Sequence, residues 1–93
     1  MKTLHEIFSA AIKREASDIH ITVGKPVIFR IDGDLVEADE NVLSPSDVEA
    51  LAYPLFREDD RLSTDFKYKG EIDFAQTVEQ GVRIRANIYK ERG

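Results

Sequence analysis

The chain has 93 residues, 42% hydrophobic and 33% charged, a length and balance that give one packed domain and exclude a disordered tract. Its net charge of −5 excludes a sequence-independent nucleic-acid binder, which needs a basic surface to displace phosphate counterions. The absence of cysteine excludes a disulfide frame and a thiolate metal site, and no run approaches the roughly 20 apolar residues of a membrane span.

The start, Met-Lys-Thr-Leu-His-Glu, carries no apolar core of a secretory signal and reads as a natural beginning. Leu4, Ile7, Phe8, Ala11 and Ile12 then recur at the spacing of one helical stripe. Thr3 and Glu6 have capping-box spacing, and Lys13 and Arg14 suit a helix C-terminus. Residues 18–23 alternate as a strand, with Ile19, Ile21 and Val23 on one face and Asp18, His20 and Thr22 on the other. Gly24-Lys25-Pro26 turns the chain into a second strand over 27–31. That strand has Val27, Phe29 and Ile31 on one face and Ile28 and Arg30 on the other. Asp32-Gly33 is a strong two-residue hairpin signal, and a third strand follows over about 34–38.

Ser44-Pro45 opens a second helix, with Ser44 as cap, Pro45 in the first turn and Asp47 as its acidic residue. Its stripe is Val48, Leu51, Ala52, Leu55 and Phe56. Pro54 removes a backbone donor, so a kink or early end is expected there. Residues 57–64 read as a short third helix. Phe66, Tyr68 and Gly70 then lead into a strand over about 71–78, with Ile72, Phe74 and Val78 inward. Glu79-Gln80-Gly81 is a hairpin turn. The last strand alternates Val82, Ile84, Ala86 and Ile88 with Arg83, Arg85, Asn87 and Tyr89, giving one apolar face and one cationic, hydrogen-bonding face. The order α-β-β-β-α-α-β-β, with tight turns between strands, predicts an α+β domain: an antiparallel sheet with helices packed on one face.

The chemistry of single residues narrows the function only partly. No glycine-rich phosphate loop occurs. Two histidines, His5 and His20, do not meet the demands of a zinc site, so His20 reads as a hydrogen-bonding residue on a half-exposed strand and no metal site is expected. Glu58, Asp59 and Asp60 sit where acids favour a helix start, not where they would act as a catalytic pair. Arg83 and Arg85 read either as the solvated face of a strand or as an anion site, since guanidinium forks pair bidentately with phosphate. Arg30 adds to that face, and Asn87 has the donors and acceptor to orient an arginine.

Three stretches together resemble a known family. They are Ala16-Ser17-Asp18-Ile19-His20-Ile21 after an amphipathic helix, Pro26-Val27-Ile28-Phe29-Arg30-Ile31-Asp32-Gly33-Asp34, and Arg83-Ile84-Arg85-Ala86-Asn87 running on to Arg92-Gly93. The sequence is similar to the N-terminal domain of the PilT-like type IV pilus retraction ATPases, the twitching-motility motors of the type II/IV secretion-ATPase superfamily. The resemblance spans nearly the whole chain, is loosest over 38–70, and departs at Lys90-Glu91, where the family usually carries a glutamine nearby.

The resemblance implies a PAS-like fold for residues 1–93, placed before a RecA-like ATPase domain that this chain lacks. It implies a homohexamer in which nucleotide, ATP with Mg2+, lies at the junction with the ATPase domains of the same and neighbouring subunits. Arg83, Arg85 and Arg92 would contact nucleotide phosphates, supported by Asn87 and Arg30. Without Walker motifs the chain alone should neither bind ATP tightly nor hydrolyse it. The implied location is cytoplasmic, peripheral to the inner-membrane pilus machinery and its platform proteins. Two alternatives stand beside it: a free-standing PAS-like small-molecule sensor, which needs an internal pocket, and the corresponding domain of a type II secretion or pilus extension ATPase. Phe8, Phe29, Phe56 and Phe74 are bulky enough to fill a small core, which favours the motor domain over the sensor.

Overall fold

The structure is a computed structural model that describes residues 2–77 and 81–90. Helix α1 (Leu4–Lys13) begins with a reciprocal cap. The Thr3 side chain accepts from the Glu6 amide, and the Glu6 carboxylate accepts from the Thr3 amide at 3.0 Å. Strands β1 (Asp18–Thr22), β2 (Ile28–Ile31) and β3 (Asp34–Glu37) form an antiparallel meander. The turn between β2 and β3 has positive φ at both Asp32 (51°) and Gly33 (84°), as a tight right-twisting hairpin requires.

Helix α2 (Pro45–Glu58) repeats the reciprocal cap with Ser44 and Asp47. It runs through Pro54 without ending there. The exposed proline sits on the solvent side, and the buried stripe of Val48, Leu51, Ala52 and Leu55 holds the helix in place. Helix α3 (Asp60–Lys69) starts later and runs further than the sequence suggested. Asp59 caps it by accepting from the Arg61 amide, and Gly70 ends it in the left-handed region at φ 76°. Phe66 and Tyr68 therefore belong to a helix, not to a strand approach. Strands β4 (Glu71–Thr77) and β5 (Arg83–Tyr89) form a further antiparallel pair. Val78, the expected third inward residue of β4, lies outside the described residues. Val82 precedes β5 and is exposed, so it does not extend the apolar face.

The sheet order is β3-β2-β1-β5-β4. Every hairpin pair is antiparallel, but β1 and β5 meet in parallel, with Ile19 beside Ala86 and Ile21 beside Ile88. The sheet is therefore mixed, which corrects the expectation of a wholly antiparallel one. The reason is the two-helix connection. Helices α2 and α3 run out and back, so β4 begins at the end of the sheet where β3 finished, and β5 then runs in the same direction as β1.

One face of the sheet carries Ile19, Ile21, Phe29, Ile72, Ile84, Ala86 and Ile88, all buried and contiguous with the buried stripes of α1 and α2. Of the four phenylalanines expected to fill the core, Phe8 and Phe29 are buried, while Phe56 and Phe74 are partly buried and pack against it. Phe66 takes a core place instead and meets Phe56. The opposite face of the sheet carries the polar alternates.

Candidate functional site

The alternation that buries Ile84, Ala86 and Ile88 turns Arg83, Arg85 and Asn87 onto the face away from the helices. Register then assembles a cross-strand row on that face. Leu35, Arg30, Asp18, Arg85 and Ala75 stand side by side across all five strands. The next row holds Glu37, Ile28, His20, Asn87 and Asp73. Arg30 and Arg85 thus flank Asp18, with neighbouring strands about 4.8 Å apart.

The Ala16-Ser17-Asp18 segment anchors this face. Ala16 is buried. The Ser17 amide donates to the Arg30 carbonyl at 2.9 Å, and the Ser17 carbonyl accepts from the Arg85 amide at 3.2 Å, so one residue ties β2 to β5. The Ser17 hydroxyl donates to Asp18 Oδ2 at 2.7 Å. Asp18 also pairs with Arg30, Nε to Oδ2, at 3.7 Å. Arg85 pairs with Asp73, Nη2 to Oδ2, at 3.6 Å. The Arg85–Asp73 pair is open to solvent and contributes at most about 1 kcal/mol to stability, while the Asp18 carboxylate of the other pair is largely covered. Their effect is to set where the guanidinium groups point.

Arg83, Arg85, Arg30 and Asn87 therefore share one face, as the strand alternation implied. Arg92 lies outside the described residues. Asp73 does not stand out in the sequence, although the expected Glu79-Gln80-Gly81 turn, whose first two residues lie outside the described residues, would on counting outward set it opposite Asn87 and diagonal to Arg85, where the register places it. His20 departs from expectation: its Nε2 is buried and has no hydrogen-bond partner among the described residues. No group of three or more metal-ligating side chains converges among the described residues, and no helix there is long and apolar enough to cross a membrane. Among the described residues the carboxylates lowered from their ordinary values are Glu6 and Asp47, through hydrogen bonds from the Thr3 and Ser44 caps, and Asp59, through hydrogen bonds from Arg61. All three belong to helix starts and none to this face. Asp59 and Asp60 accordingly serve as cap and first turn of α3, while Glu58 closes α2.

No family model matches the chain. The type IV pilus retraction ATPase PilT of Pseudomonas aeruginosa is 31% identical over 86 residues, covering 92% of this chain and 24% of that protein. A crystal structure of the pilus retraction motor PilT with bound ADP matches with a TM-score of 0.72 at 35% identity, covering 100% of this chain and 27% of that one. The chain is homologous to the N-terminal domain of PilT-like secretion ATPases. The X-ray structure of the Legionella pneumophila ATPase DotB matches at a TM-score of 0.59 and 21% identity, over 94% of this chain and 28% of that one, and shares the fold. This PilT-like domain spans about a quarter of the length of the relatives it matches. The α+β order read from the sequence, with helices against one face of the sheet, is that of the PilT-like domain.

Proposed function

We propose that this chain is the nucleotide-sensing and subunit-interface domain of a hexameric ATPase that powers type IV pilus retraction. The observation that carries the reading is the match over the whole chain to a retraction motor crystallised with ADP. A RecA-like ATPase domain in the same protein would supply the phosphate loop, the Mg2+ and the chemistry of hydrolysis. The exposed guanidinium groups of Arg83 and Arg85 fit an anionic ligand, with Arg92 as a third candidate. Arginine keeps its charge at any working pH and matches the geometry of phosphate oxygens. Arg30 and Asn87 complete the face: Arg30 by engaging Asp18, which stands next to Arg85 in register, and Asn87 by sharing the face of β5 with Arg85. Partners on this reading are the ATPase domains of the same and the neighbouring subunit, and platform proteins of the inner membrane; the protein would work in the cytoplasm at that membrane.

A free-standing sensor would need an internal pocket. The space between sheet and helices is instead filled by Phe29, Ile19, Ile21, Ile72, Ile84, Ile88 and Val48, each under 2% exposed. A concavity of about 620 Å3 does occur, but it opens on the surface between α2, α3 and the end of β5, beside the exposed Tyr53, Lys67 and Lys90. Calorimetry of ATP against the 93-residue chain tests the split site. Weak binding, held by the arginine face alone, is expected, because the backbone cradle for the phosphates is elsewhere. Micromolar or tighter affinity contradicts the reading and favours a sensor.

A further inference from the structure

Arg83 and Arg85 leave β5 on one face with Cα atoms about 7 Å apart, and the Arg85 guanidinium is already engaged on the neighbouring strand. Ala75 stands directly opposite Arg85 on β4, and its methyl group offers a cation nothing. Arg85 reaches diagonally to Asp73 instead, at 3.6 Å. Asp73 faces Asn87, so this pairing draws Arg85 toward the Asn87 end of β5 and away from Arg83. The carboxylate on the other side of Arg85, Asp18, is already engaged by Arg30 and the Ser17 hydroxyl.

We propose that Asp73 is a built-in competitor for Arg85 and sets how strongly this face holds a polyphosphate. This rests on the reading of Arg83 and Arg85 as phosphate contacts. An anion that bridges the two arginines has to take Arg85 off Asp73 and swing it back along the strand. The Arg85 and Asp73 side chains are 64% and 59% exposed, so the competition is a modest one, worth about two- to five-fold in affinity. A single carboxylate or a monophosphate gains little by displacing Asp73. A polyphosphate, with several charged oxygens able to reach both forks, gains more. Asp73 thereby tunes specificity toward dense anions while making no contact with the ligand itself.

The test is an NMR titration of the 93-residue chain with inorganic tripolyphosphate at about 0.1 M ionic strength, following backbone amides and the Arg85 side-chain Nε–H. Asp73→Asn should bind about two- to five-fold tighter than wild type. Its Arg85 Nε–H resonance should shift before any ligand is added. Asp65→Asn, which removes the same charge from the Lys69 pair on α3, should leave the affinity within about 1.3-fold of wild type after general screening. The gain from Asp73→Asn should vanish when Arg85→Gln is also present. Equal affinity in wild type and Asp73→Asn, with Arg83→Gln still weakening binding, overturns the competition and leaves the anion site standing. An equal gain from Asp65→Asn overturns it too, by reducing the effect to net charge. No binding in any variant overturns the anion site and the competition together.

Discussion

Phe66 on α3 sets its ring 5.5 Å from that of Phe56 on α2, tilted at 46°, while Tyr68 two residues on is 76% exposed. On a strand those two aromatics would share a face; on a helix two residues apart they point in nearly opposite directions. Phe66→Ala should therefore cost about 3 kcal/mol or more in chemical unfolding, by loss of burial and the cavity left behind. Tyr68→Ala should stay within about 0.5 kcal/mol. Comparable losses at both positions would contradict the helical assignment of α3.

Phe29 and Phe74 were both expected inward, but they are not equivalent anchors. Phe29 is fully buried on β2, with the Arg14 guanidinium 5.6 Å above its ring. Phe74 lies on the edge strand β4 and is partly buried against Phe8, with ring centroids 6.2 Å apart. Phe29→Ala should cost about 3–5 kcal/mol. Phe74→Ala should cost less, about 1–2 kcal/mol, because less of its surface leaves water on folding. Urea midpoints of the two variants check the order.

Acid should loosen the helix starts. The folded state lowers the pKa of Glu6 below its ordinary 4.5 and that of Asp47 below its ordinary 3.8, each through hydrogen bonds within its cap. A lowered native pKa means the folded state prefers the ionised carboxylate. That stabilisation is complete above the ordinary value and is lost as pH falls through the native one. Stability should therefore decline on acidification from about pH 4.5 downward, and Glu6→Gln with Asp47→Asn should flatten that decline. Unfolding midpoints between pH 6 and pH 2.5 measure it. An unchanged slope in the double variant would show that other carboxylates dominate.

What the sequence made legible was local chemistry. Thr3 with Glu6, Ser44 with Pro45, and Asp32-Gly33 each satisfy backbone groups within a few residues, so their meaning does not depend on the rest of the chain. The alternation at Arg83–Tyr89 likewise fixed which side chains share the polar face. Hairpins say nothing of how a three-strand meander and a strand pair join, and the two helices read between them did not say that β5 would lie beside β1 and parallel to it. Phe66 and Tyr68 misled because aromatics at i and i+2 also fit a strand. Gly70 after Lys67 and Lys69 was the competing signal, a helix end with cations in its last turn. The Arg85–Asp73 pair depends on side-chain conformation, which register permits but does not choose.

The chain alone should be largely monomeric at micromolar concentration. In the proposed ring each interface joins this domain to the ATPase domain of the next subunit, so half of every interface is absent here. Sedimentation velocity should give a single species near monomer mass; a stable hexamer of residues 1–93 would contradict that arrangement.

The most direct test of the central claim is the steady-state ATPase rate of the motor that carries this domain, with Arg83 and Arg85 replaced singly. If these guanidinium groups stabilise charge on the transferring phosphoryl group, Arg→Ala at either position should lower turnover by about a hundred-fold or more while the fold stays intact, and Arg→Lys should rescue poorly because it lacks the planar fork. Turnover near wild type in both alanine variants would contradict the account and leave these arginines as the solvated face of a strand.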